Sequence, residues 1–143
     1  MTTIDRSVLV PYTPAQMFSI ANNVLAYPEF LPWVTATGLV SETETEMVAW
    51  LEITRAGMSQ RLSTHNTLER PEYIHLELLE GPFRYLSGTW HFTDLAGVGC
   101  KVHFVMTFEV DNRFLKMALG RFSGGVVDTL VAAFCDRADQ LYG

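Results

Sequence analysis

From Thr35 to Glu109 apolar residues recur at every second position, and from Phe114 to Leu141 they recur at spacings of four and three. Period two marks strands that bury one face, and the longer spacing marks a helix that buries one stripe. Turn-forming residues interrupt the strand tract at Glu42 to Thr45, Ala56-Gly57, Arg70-Pro71, Gly81-Pro82 and Ala96 to Gly99. About six strands joined by such short turns pair as an antiparallel meander. One face of that sheet has to be covered. The terminal stripe, Phe114, Ala118, Phe122, Val126, Leu130, Phe134, Ala138 and Leu141, is the only one long enough to cover it. Strand twist then wraps the sheet around the helix.

The residues before this tract predict a strand and a helix. Ile4, Val8 and Val10 alternate with Asp5, Ser7 and Leu9, and Pro11 closes the strand. Thr13 is a good N-cap, Pro14 sits where a missing N–H does no harm, and Gln16 can reach back to complete a capping box. Met17, Phe18, Ala21, Val24 and Leu25 then predict a helix over 14–25 with one buried face. Ala26 to Trp33 carries two prolines and three aromatics, which fits a short helical piece between the prolines. The expected architecture is α+β: one domain over residues 1–143, a curved antiparallel sheet of about seven strands gripping a long C-terminal helix, and one or two short helices after strand 1.

Charge narrows the function classes. The chain has 143 residues with 10 basic and 16 acidic side chains, a net charge of −6. Neutralising phosphates needs clustered Lys and Arg in surplus, so autonomous DNA or RNA binding is not expected, although Arg55, Arg61 and Arg84 offer a local patch. No apolar run approaches the roughly 20 residues of a membrane helix. The first residues lack the basic start and apolar stretch of a signal peptide, so the cytoplasm is the expected location. Cys100 and Cys135 are too few for a disulfide framework and are read as reduced.

Strand parity assigns the faces. The inward sets are Met47, Ala49, Leu51 and Ile53, then Met58, Leu62 and Leu68, then Ile74, Leu76 and Leu78. Leu86, Trp90 and Phe92 follow, and then Val102, Phe104, Met106 and Phe108. The same parity turns Gln60, Thr64 and Asn66 inward. A buried polar group without a partner costs about 1–3 kcal/mol, so these three either bond among themselves and to water or face a ligand. His65, His75, His91 and His103 fall on the outward parity at spacings that match no metal motif, so no metal is expected. No nucleophile motif, phosphate loop or acid–base pair stands out, and no catalytic residue is nominated. Gly120, Gly124 and Gly125 interrupt the terminal helix; they allow close packing against the sheet, a kink, or room for an elongated apolar ligand.

Several stretches resemble the START-like, helix-grip proteins of the coenzyme Q-binding and ribosome association toxin group, within the polyketide cyclase superfamily. They include Tyr27-Pro28-Glu29-Phe30-Leu31-Pro32 and Gly81-Pro82-Phe83 with Leu86, Gly88, Trp90 and Phe92, flanked by Leu9 to Tyr12, Gln16 to Phe18, Ala56-Gly57, Asn66 to Leu68, Cys100, Phe108-Glu109, and Ala133-Phe134 with Arg137-Ala138 and Tyr142. The resemblance implies the same grip fold and a non-enzymatic binder of a hydrophobic molecule, with ubiquinone or a related prenylated quinone first and no cofactor required. On that reading the tail lies along Leu76, Leu86, Trp90, Phe104, Phe122 and Val126, the headgroup meets Gln60, Thr64 and Asn66, and Tyr27, Phe30 and Trp33 form a lid. The second reading is a toxin that binds the large ribosomal subunit and blocks subunit joining. An aromatase/cyclase-type enzyme ranks last, because the inward sets hold few titratable groups. Peripheral membrane contact is a further expected interaction.

Overall fold

The computed structural model describes residues 2–55, 57–110 and 123–143. Strand β1 (Thr2–Val10) leads into helix α1 (Pro14–Asn22), a single 3-10 turn (Val24–Ala26) and the short helix α2 (Tyr27–Phe30). Six strands follow: β2 (Val34–Glu42), β3 (Glu46–Arg55), β4 (Met58–Glu69), β5 (Tyr73–Glu80), β6 (Phe83–Asp94) and β7 (Cys100–Val110). Helix α3 (Ser123–Tyr142) ends the chain. The strands form one curved seven-stranded sheet in the order β1-β7-β6-β5-β4-β3-β2, antiparallel throughout, which is the expected architecture.

Local chemistry sets these boundaries. The Thr13 hydroxyl accepts from the Gln16 N–H at 3.1 Å, and the Thr13 N–H donates to Gln16 Oε1 at 2.9 Å, so the capping box forms as the sequence predicts. Helix α1 is shorter than the expected 14–25. It stops at Asn22, and the 3-10 turn that follows rotates Leu25 to the surface, 56% exposed, while Ile20 takes a buried place on the helix. Gly57 in the β3–β4 turn and Gly97 in the β6–β7 turn both adopt φ +78°, a conformation that L side chains disfavour.

The core lies between the inner sheet face, α1 and α3. Trp90 is its centre: its ring is 4.4 Å from Phe104 and 4.9 Å from Phe134 on α3, and lies parallel to Phe92 at 6.1 Å. Phe134 and Ala138 on the predicted stripe are buried and Leu130 is partly so, but Leu141, in the last turn of α3, is 52% exposed, a correction to its place in that stripe. The expected cap at Asp111-Asn112, and Phe114, Ala118, Gly120 and Phe122, lie outside the described residues.

On the outer face, the Trp50 indole covers Gly38 across the β2–β3 pair, and the Arg61 guanidinium stacks 4.0 Å from the indole centroid, 3.6 Å from the Glu52 carboxylate. A Cβ at Gly38 would fall 2.1 Å from Trp50 Nε1. Gly38→Ala is therefore predicted to displace the indole and cost about 1–3 kcal/mol, the scale of overpacking. Urea unfolding with Trp fluorescence checks this, and a loss under about 0.5 kcal/mol would mean that the indole shifts freely.

Candidate functional site: an apolar cavity under the sheet

The inner sheet face does not close completely on the helices. A cavity of about 220 Å³ remains, bounded by the sheet, α1, the 3-10 turn, the α2–β2 segment and α3. Of the predicted ligand residues, Thr64, Asn66, Leu76, Leu86, Trp90 and Phe104 line it, as do Tyr27 and Trp33 from the predicted lid. Gln60 and Phe30 are not on its wall. Gln60 is half-buried near the start of β4, beside its register partner Ile53 on the wall, because parity gives a side chain's face but not whether it reaches the cavity. The Phe30 ring packs edge-on against Phe134 at 5.4 Å, with the Arg137 guanidinium 5.2 Å from its centroid. Phe122 and the side chain of Val126 lie outside the described residues.

Sequence reasoning missed part of the wall. Ala21 and Val24 come from the helix that the sequence predicts, and Leu31 and Phe83 sit beside proline turns where no periodicity signals a direction. Met106 and Phe108 already belonged to an inward set; only their depth was missing.

Polar groups on the wall are few. The Tyr27 hydroxyl donates to the Ala21 carbonyl, and burial pushes its pKa well above the usual tyrosine value. Its ring meets Phe30 and Phe134 edge-on at 5.9 and 5.8 Å, so the segment that resembles a lid is tied to α3 by aromatic contacts. Asn66 is 4% exposed; its Nδ2 lies 3.9 Å from Met47 Sδ, and its Oδ1 has no donor among the described residues. Thr64 stands two residues away on the same face of β4. No carboxylate, imidazole or thiol is among the described lining residues.

Elsewhere the titratable groups are structural or solvated. All four histidines sit on the outer face: His65 lies 3.3 Å from Glu46, His75 2.7 Å from Glu69 and His103 2.7 Å from Asp5, while His91 stacks on Tyr73 at 4.2 Å. Among the described residues, no three His, Cys, Asp or Glu side chains gather closely enough to hold a metal ion. Both cysteines are free; burial pushes the Cys100 thiol up to about 11, with the Asp94 charge adding to the shift. Arg61 is engaged by Trp50 and Glu52, Arg84 is exposed at the start of β6, and the Arg55 side chain lies outside the described residues. No helix among the described residues is long and apolar enough to cross a membrane.

A curved antiparallel sheet gripping a C-terminal helix over an apolar cavity is the START-like, helix-grip fold. The chain belongs to the polyketide cyclase / dehydrase and lipid transport family, whose sequence model matches residues 10–135. It is 40% identical over 142 residues to the ribosome association toxin RatA of Pseudomonas aeruginosa, covering 99% of both chains. It is 36% identical over 142 residues to RatA of Escherichia coli, covering 99% of this chain and 90% of that one. Among solved structures, a START superfamily protein from Mycobacterium smegmatis superposes with a TM-score of 0.82 at 17% identity, covering 97% of this chain and 98% of that one. The Zhui aromatase/cyclase from a Streptomyces gives a TM-score of 0.81 at 17% identity, covering 97% of this chain and 94% of that one. At such identities these two structures share the fold and nothing finer.

Proposed function

We propose that this protein acts by associating with the ribosome in the cytoplasm, binding the large subunit and keeping the two subunits from joining. The observation that carries this reading is the end-to-end 40% identity to a protein named for ribosome association. It takes precedence over the quinone reading, which the relatives' names do not favour. A cavity of about 220 Å³ is also small for a prenylated quinone, since sites for drug-sized ligands span roughly 300–1,000 Å³. On this reading the protein works by binding rather than turnover, as the name of that relative suggests.

A net charge of −6 restricts the contact to ribosomal protein surface and a few phosphates, so affinity falls only shallowly with salt. Adding the purified protein to separated subunits, then sedimenting at several salt concentrations, tests this. The expected result is co-sedimentation with the large subunit and a smaller fraction of joined ribosomes. Unchanged joining, with the protein left at the top of every gradient, would overturn the proposal.

The cavity supports a second, compatible reading, in which it holds a small hydrophobic molecule. Its wall is apolar apart from a few polar groups, the usual design of a small-molecule site.

A further inference from the structure

Large apolar side chains reach solvent together at one end of the molecule, where β1 ends, β6 turns into β7 and α3 finishes. Leu9 is 68% exposed and Val98 79%, and Leu141 and Tyr142 are exposed beside them in the last turn of α3. Backbone packing joins these elements. Val10 stands opposite Cys100 in the β1–β7 register. A Cβ on Gly99 would overlap the Val10 carbonyl oxygen and fall 3.2 Å from the Pro11 Cα, so the turn that carries Val98 is pressed against the end of β1. The Tyr12 ring then meets the Tyr142 ring at 6.0 Å, and its hydroxyl donates to Asp139. Single exposed apolar residues are ordinary on a protein surface, whereas a patch shared by three elements marks a contact surface.

The rim of the patch is acidic. Asp94 ends β6 in the row that holds Cys100 and Val10, and Asp139 lies one turn back from Tyr142. Glu72 sits in the neighbouring β4–β5 turn, where its carbonyl accepts from the Phe92 N–H at 2.8 Å; all three carboxylates are on exposed residues. Lys101, the register partner of Leu9, is the base beside the patch. Arg70, in the same turn region as Glu72, has its guanidinium 3.8 Å from Glu42 and 3.9 Å from Glu44. Such a rim repels RNA phosphates and complements a protein surface that is apolar at its centre and rich in Lys and Arg around it. A second copy of this chain would set the same carboxylates against one another. The geometry points to this end of the molecule as the surface that docks on the large ribosomal subunit, seated on a basic ribosomal protein and not on RNA. This inference rests on ribosome association as the function, and it is independent of what the cavity holds.

Salt-washed large ribosomal subunits are the probe, and co-sedimentation of the full chain over a range of concentrations is the readout. Leu9→Gln combined with Val98→Asn changes only exposed positions, so the fold is retained. This double variant is expected to bind about tenfold more weakly than the wild type. Leu79→Gln, at an exposed position near the far end of the sheet, is expected to bind as the wild type does. Asp94→Lys separates the two kinds of partner by sign, because it weakens a contact with a basic protein and tightens one with phosphates; a loss of about threefold is expected. Unchanged binding of the double variant, or an equal loss in Leu79→Gln, would overturn the assignment of the surface and leave ribosome association standing. Tighter binding of Asp94→Lys would overturn the protein partner in favour of RNA. A free wild-type chain that sediments as a dimer, and a double variant that sediments as a monomer, would instead assign the patch to a second copy. Absence of binding by the wild-type chain would overturn ribosome association and this inference with it.

Discussion

The Trp90→Ala variant is expected to unfold at a much lower urea concentration than the wild-type chain, with a loss of about 3–5 kcal/mol. The indole is 4% exposed and joins the sheet to the helix that covers it: Phe104 and Phe92 within the sheet, Phe134 on α3. Deleting it removes both the transfer free energy of a large aromatic group and the edge-on contact that docks α3. It also merges the vacated space with the existing cavity, since Trp90 forms part of that wall, so collapse cannot recover the loss. Against a total of about 5–15 kcal/mol for a domain, this is a large fraction. Equilibrium unfolding by circular dichroism measures it, with Trp90→Phe as the milder comparison. A loss below about 1 kcal/mol in the alanine variant would show that α3 docks without the indole.

Alkaline pH is the second strong lever. The Cys100 thiol is completely buried and its pKa is pushed up to about 11, while an unfolded cysteine ionises near about 8.5. The unfolded state therefore loses its proton first as pH rises. Stability is full below about pH 8.5 and falls through the window up to about pH 11. Tyr27, raised by burial, acts in the same direction from about pH 10 upward. Cys135, raised by partial burial with Asp139 and Asp136 beside it, and Tyr12, raised by its hydrogen bond to Asp139, add to the trend. Urea midpoints across this range are expected to drop steeply in the wild type and less steeply in Cys100→Ala. Identical slopes in the two proteins would mean that the thiol is not protected.

Where one residue's chemistry decides the structure, the sequence was a sufficient guide. The capping box at Thr13 and Gln16, the turns at Gly57 and Gly97, and the inward parity of β3 to β7 are all local, and all appear as read. Distances along an element were less legible. Gln60 and Asn66 share a parity on β4, yet only Asn66 reaches the cavity, because depth depends on where the helices cross the sheet. Leu25 and Leu141 satisfied a helical period but fell where one helix tightens into a 3-10 turn and the other reaches its last turn. The pairing of β1 with β7 is equally non-local; alternation in Ile4 to Val10 announces a strand but not its neighbour.

That pairing governs the order in which the chain can assemble. Strands β2 to β7 are joined by short turns and pair with their sequence neighbours, so they can zip from hairpin to hairpin at small entropic cost. Strand β1 must instead wait for a partner whose register begins with Thr2 against Phe108 and ends with Val10 against Cys100. Until it arrives, β7 is an unpaired edge carrying Val102, Phe104 and Phe108, the kind of surface on which chains stick to one another. The aggregation risk of this protein is thus concentrated in the interval before its two ends meet, and the N-terminal strand acts as an intramolecular guard over that edge.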